Sequence, residues 1–393
     1  MNIFLQLTPR DPLIARDGRP FGAGQGNRMR GLPWPLPSVV AGSFRTALAK
    51  ACGQDFSDDI LPRLMQIAVA GAFPVHNEQL YLPAPNDALA KPADGGGIET
   101  LHRVIPQPMS ANDGCDLPED NLQPVMLSSL QAQADFKPAE VPAWWPIGPY
   151  TTWLLGNDVA FDSSFLRSPL QDTRDHVCLD AERGAAAEGQ IFATANLNVT
   201  HLPRFGVKLD GQQLRFGDRF ATVELSVRVT IPETETTLQP GQSFGCWHPL
   251  GGERRLVHWQ VCQSAGTGWT CPSEIQNALE TATRIRLILA TPAIFRQGWK
   301  PDLACGPLKD FGLTLVGAST GRWKAVSGWS LATVNHQPRG PKPIRRMVPA
   351  GSVYFFTCER GAASKLADHW LQPVSDSPQD QRDGFGLALW GTW

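Results

Sequence analysis

At 393 residues, 42% of them hydrophobic, the chain is too long for one ordinary core, and 13 Trp with 18 Phe supply enough burial to exclude a disordered chain; two domains are expected. No apolar run approaches the roughly 20 residues of a membrane span, Met1 to Leu5 lacks a basic leader, and eight scattered cysteines without a CxxC read as reduced thiols, which together point to the cytoplasm. The formal net charge of −2 hides an uneven distribution: Arg10 to Lys50 carries seven basic residues against Asp11 and Asp17, whereas Ala51 to Pro142 carries thirteen acidic residues against four basic ones.

Asn2 to Thr8 alternates, with Ile3, Leu5 and Leu7 on one face, and reads as an opening strand. A glycine- and arginine-rich segment follows from Arg10 to Pro37. Ser38 is then expected to cap a helix whose apolar positions Val40, Phe44, Ala47, Leu48 and Ala51 keep helical spacing until Gly53. Ala68 to Pro83 suggests a hairpin. Residues 85–150, rich in Pro, Gly, Asp and Asn, read as a loop-rich surface insertion, with Trp144, Trp145 and Trp153 at its end as candidate anchors for a protein partner. A second hairpin is expected from His176 to Leu179 and Gln190 to Val199, around AERGAAAEG. Val223 to Ile231 alternates cleanly, and apolar runs at Ile285 to Leu289, Leu313 to Val316, Val353 to Phe356 and Phe385 to Trp390 supply the later strands.

The segment Asp11 to Leu48 carries the chemistry. Its glycines Gly18, Gly22, Gly24, Gly26 and Gly31 would let backbone approach a ligand, and Arg16, Arg19, Arg28 and Arg30 can fork onto phosphates beside the amino end of the helix. A solvated surface loop has the same composition. A phosphate-binding nucleotide fold is rejected, because no strand leads into Gly22-Ala23-Gly24-Gln25-Gly26 and the helix begins twelve residues later. Cys246, His248, His258, Cys262 and Cys271 are zinc-ligand types without structural-zinc spacing, so neither metal nor cofactor is expected. No paired catalytic acid and base, carboxylate cluster or nucleophile elbow stands out, and no catalytic residue is assigned.

A strand followed by RDGRPFGAG and LPWPLPSVVAGSFRTAL resembles the amino-terminal signature of the RAMP-superfamily subunit that grips the CRISPR RNA 5′ tag in Cmr-type (type III-B) effector complexes. Segments at Arg174 to Phe192, LGGERR (Leu250 to Arg255), Leu315 to Ser330 and Pro341 to Phe356 continue the resemblance in order. It implies an α+β protein of two ferredoxin-like (RRM-like) domains packed together, divided here as 1–215, with the insertion at about 85–150, and 216–393. It also implies a non-catalytic role: holding the repeat-derived tag and bridging the large polymerase-like subunit to the backbone subunits in antiviral defence. Carried onto this sequence, the RNA contacts are Arg16, Arg19, Arg28, Arg30, Arg254, Arg255, Lys342, Arg345 and Arg346. The acidic insertion should avoid RNA. Two alternatives remain open: a metal-independent RAMP endoribonuclease using a histidine, and a pure assembly subunit.

Overall fold

A computed structural model of the chain describes residues 2–18, 29–94, 97–110, 114–127, 136–207, 215–241, 243–262, 266–330 and 340–393. Strand β1 (Asn2–Pro9) buries Ile3, Leu5 and Leu7, as its alternation requires. Helix α1 (Pro37–Ala51) follows, but Leu36 and not Ser38 holds the cap position and no side chain caps it. Proline at the first helical position explains the shift, since it has no N–H to leave unpaired and its φ is already helical. Helix α2 (Ile60–Leu64) leads to the hairpin β2 (Ala68–His76) and β3 (Gln79–Pro83), turned through Asn77 and Glu78, both left-handed.

The acidic segment is not a simple excursion. It forms an antiparallel sheet of β4 (Ala88–Pro92), β5 (Ile98–Pro106) and β6 (Val125–Leu127), then β7 (Trp144–Pro146) and α3 (Ile147–Leu154). Strands of three to nine residues, two of them ending in proline, carry too little alternation to be read locally. Trp144, Trp145 and Trp153, expected as exposed anchors, are buried: Trp145 meets Tyr150, Trp153, Phe161 and Phe165 edge-on.

The second hairpin, β8 (Leu170–Asp180) and β9 (Ala185–Asn198), is longer than its alternation predicts, because β8 is exposed along most of its length. After β10 (His201–Pro203), α4 (Phe216–Arg219) and β11 (Phe220–Thr222) come β12 (Glu224–Thr230), β13 (Gly245–Pro249) and β14 (Leu256–Val261). These last three join an antiparallel seven-stranded sheet of order β13-β14-β1-β12-β2-β3-β7, with Leu5 between Val227 and Val261. The first sheet therefore extends well beyond residue 215, through pairings that join residues more than two hundred positions apart.

Helix α5 (Ser273–Thr281) and β15 (Arg284–Leu289), β16 (Thr314–Ser319), two small ladders, β17 (Lys324–Val326) with β20 (Arg345–Met347) and β18 (Trp329–Ser330) with β19 (Gly340–Pro341), β21 (Val353–Thr357), α6 (Pro378–Arg382) and β22 (Ala388–Thr392) complete the chain. Their main sheet has the antiparallel order β16-β21-β15-β22. The architecture is mixed α+β, with antiparallel sheets and few helices. Among the described residues no helix is long and apolar enough to cross a membrane.

Two buried ion pairs fasten these parts. Arg286 on β15 and Asp87 before β4 are both wholly buried, 2.5 Å apart, with Trp153 Nε1 donating to the same carboxylate and Arg286 also donating to Trp153 O. Arg45 on α1 reaches Asp383 at 2.5 Å and donates to the carbonyls of Ile67 and Arg382. The closing Gly384 and Gly386 are equally internal: a Cβ on Gly384 (φ +86°) would overlap Val69 O, so this glycine serves close packing between the two sheets.

Candidate nucleic-acid interface

Three segments far apart in sequence meet on one side of the molecule. The Gly18 N–H donates to Ala325 O at 3.1 Å, and a Cβ on Gly18 would lie 2.8 Å from Ser327 N. The Gly252 N–H donates to Ile14 O at 3.1 Å, and a Cβ on Gly251 (φ +78°) would lie 2.6 Å from that oxygen. The close approach expected of Gly18 is thus to the protein's own backbone, and it brings the arginine-rich segment, the LGGERR turn and the 324–347 ladders together. Gly22, Gly24 and Gly26 lie outside the described residues, as do Arg19 and Arg28.

The cations gathered here are of two kinds. Arg16 and Arg30 flank a short bridged ribbon (Arg16 with Gly31) and are exposed, as is Arg254, which stands at φ +50°. Lys342 is half-buried. Arg346 is exposed and lies 4.9 Å over the ring of Trp323. None of these five has an ion-pair partner among the described residues. Arg255 and Arg345 differ. Arg255 donates to Asn196 Oδ1 at 3.1 Å and pairs with Glu253 at 3.0 Å, whereas Arg345 is bidentate to Asp380 at 2.7 and 2.9 Å.

Between these segments lies a cavity of about 290 Å³, with the first turns of α1 (Ser38, Val39, Gly42) on one wall, His248 at the end of β13 on another, and Gly328 to Trp329 with Lys342 on the third. Among the described residues no acidic side chain lines it, and none stands in the first turn of α1. Burial, reinforced by the charge of Lys50, holds the His248 imidazole below its ordinary pKa and so keeps it neutral more readily.

The family model described as CRISPR-associated protein (Cas_Cmr3) matches residues 5–393. The chain belongs to the Cas_Cmr3 family. The Cmr resemblance carried by the separate segments of the sequence is thereby shown. Among solved structures, the chain is similar to a subunit of the type III-B Cmr-beta bound to cognate target RNA and AMPPnP, in state 1, at 14% identity over 90% of this chain and 86% of that one, with a TM-score of 0.41. The type III-B Cmr-beta bound to cognate target RNA gives the same values. A chain of the Csm3-Csm4 subcomplex of the type III-A CRISPR-Cas interference complex is similar at 10% identity over 92% and 97%, with a TM-score of 0.34. No curated protein matches the sequence.

In this Cas_Cmr3 chain four histidines have hydrogen-bond partners. His76 lies between Arg204 and Thr222 O, His102 meets Thr100, His176 meets Thr194 and His201 meets Thr200. Among the described residues, no three His, Cys, Asp or Glu side chains gather as a metal site. None of the eight cysteines is in a disulfide, and burial with nearby Asp368 pushes Cys271 up to about 12, leaving it a poor nucleophile at neutral pH. Trp329 and Lys324, which stand in WKAVSGWS beside the cations, went unassigned in the sequence. The interleaving of basic and aromatic residues there was the available signal.

Proposed function

We propose that this chain holds the repeat-derived 5′ tag of a CRISPR RNA, without cutting it, as a subunit of a type III-B effector complex acting in the cytoplasm in antiviral defence. It joins the large polymerase-like subunit to the backbone subunits. The observation that carries this reading is the meeting of three distant segments, which bear the exposed Arg16, Arg30, Arg254 and Arg346, beside a cavity that Lys342 and Arg345 line and that no carboxylate lines among the described residues. Exposed cations without carboxylate partners suit a polyanion, because each phosphate contact releases counterions. Arg19 and Arg28 belong to the same loop and are assigned to the same role, while Arg255 and Arg345 support the site by fixing its turn and its ladder. Membership in the Cas_Cmr3 family supports the complex.

Each main sheet contains four strands in the chain order fourth, first, third, second, namely β14-β1-β12-β2 and β22-β15-β21-β16. That repetition supports reading both halves as ferredoxin-like, with their junction between 262 and 273.

The test is binding of the purified full chain to a tag-bearing single-stranded RNA at several salt concentrations, with the RNA recovered and sized afterwards. Salt-dependent affinity and intact RNA are expected. Absence of affinity would favour the pure assembly role, and cleavage lost on replacing one histidine would favour the ribonuclease.

A further inference from the structure

We propose that Trp329 is a stacking platform for one splayed base of single-stranded RNA, with the adjoining cavity taking that nucleotide's sugar and phosphate beside Lys342. The proposal rests on the RNA-holding reading and names a subsite within it. Trp329 is 64% exposed, in a chain that buries Trp145, Trp153, Trp259 and Trp390 completely. Two other tryptophans are comparably exposed, Trp247 at 55% and Trp323 at 48%, but each has a ring or cation against it: His258 lies 5.0 Å from Trp247, and Arg346 lies over Trp323. Among the described residues no aromatic ring or cation lies against Trp329.

The platform is held in place. Trp329 pairs with Pro341 across the ladder of β18 and β19, the Lys342 N–H donates to Gly328 O at 2.8 Å, and the Ser327 hydroxyl donates to Lys342 O at 2.7 Å. These bonds fix the backbone that carries Trp329 and Lys342, both of which line one cavity, whose volume of about 290 Å³ is near the lower end for small-molecule sites. Aromatic rings stack on every base, whereas a lysine ammonium recognises phosphate as a point charge. A lining without carboxylates among the described residues, beside a largely exposed indole, matches a nucleotide on both counts, and an acidic protein segment would leave the indole without its stacking partner.

The experiment measures binding of tag-length single-stranded RNA to the full-length chain, comparing wild type, Trp329→Ala, Trp329→Phe and Lys342→Ala, with thermal melting to confirm folding. Trp329→Ala should weaken binding about tenfold, within the range for loss of one stacked base, with its salt slope unchanged, and Trp329→Phe should recover most of the loss. Lys342→Ala should reduce the salt slope. RNAs carrying one abasic position at a time should include one whose penalty is present with wild type and absent with Trp329→Ala. If wild type binds and Trp329→Ala binds equally well, the stacking proposal falls while the RNA-holding reading stands; if wild type binds no RNA, both fall. Loss of assembly with partner subunits at unchanged RNA affinity would make Trp329 a protein contact and overturn the proposal.

Discussion

Arg45 and Arg286 carry the same guanidinium as Arg16 and Arg254, yet the structure uses the two pairs in opposite ways. The first two are buried in ion pairs that join elements from different parts of the chain; the second two are exposed and unpaired among the described residues. The comparison teaches that a count of basic residues measures capacity for binding only after the internal partners have been subtracted. Arg45 belongs to the basic stretch from Arg10 to Lys50, but its charge is neutralised internally by Asp383.

The largest effect should come from breaking the innermost pair. Arg286→Met alone leaves Asp87 as an uncompensated buried charge and should cost about 3–5 kcal/mol in chemical denaturation. Adding Asp87→Leu should recover most of that loss, since replacing both members of a buried pair by apolar groups is far less costly than removing one. Stability of the single variant equal to wild type would break the comparison at its root. Any shortening of the acidic segment that removes Asp87 carries the same penalty, so that segment is not a dispensable surface excursion.

Arg45→Ala should be next, at about 3 kcal/mol, because it strands Asp383 and leaves the Ile67 and Arg382 carbonyls without this donor. RNA affinity per folded molecule should be unchanged, which separates it from the surface set.

Neutralising Arg16, Arg254 and Lys342 together should do the reverse. Stability should stay within about 0.5 kcal/mol, while RNA affinity falls and the log–log salt slope drops by about 0.7 for each phosphate that is no longer neutralised. A full salt titration reads both. Arg345→Ala sharpens the contrast further: removing its bidentate bond to Asp380 should lower stability by roughly 1 kcal/mol, with a smaller change in salt slope than Lys342→Ala.

The smallest effect is in pH. His248 is buried in the wall of the cavity, and its pKa is lowered first by burial and then by Lys50. Its neutral form is therefore favoured in the folded state. The associated stability is fully present above the unfolded value of about 6.5 and is lost as pH falls through the lower folded pKa. Melting temperature followed from pH 8 to pH 5 should decline less steeply in His248→Gln than in wild type.

Composition and periodicity determined a good deal. Ile3, Leu5 and Leu7 announced β1, the spacing of Val40, Phe44 and Leu48 announced α1, and Val223 to Ile231 announced β12, because each buries a face whose period is local. The family was legible in ordered segments whose glycines, prolines and arginines need no knowledge of contacts. What tertiary structure alone decided was non-local. It put β12, β13 and β14 into the first sheet, covered Trp144 and Trp145, and turned Gly18 and Gly251 toward backbone of their own chain. It also sorted the arginines into buried partners and exposed cations, since the energy of a charge depends on its desolvation and on the groups within a few ångströms, and for Arg45 and Arg286 those groups lie 338 and 199 residues away along the chain.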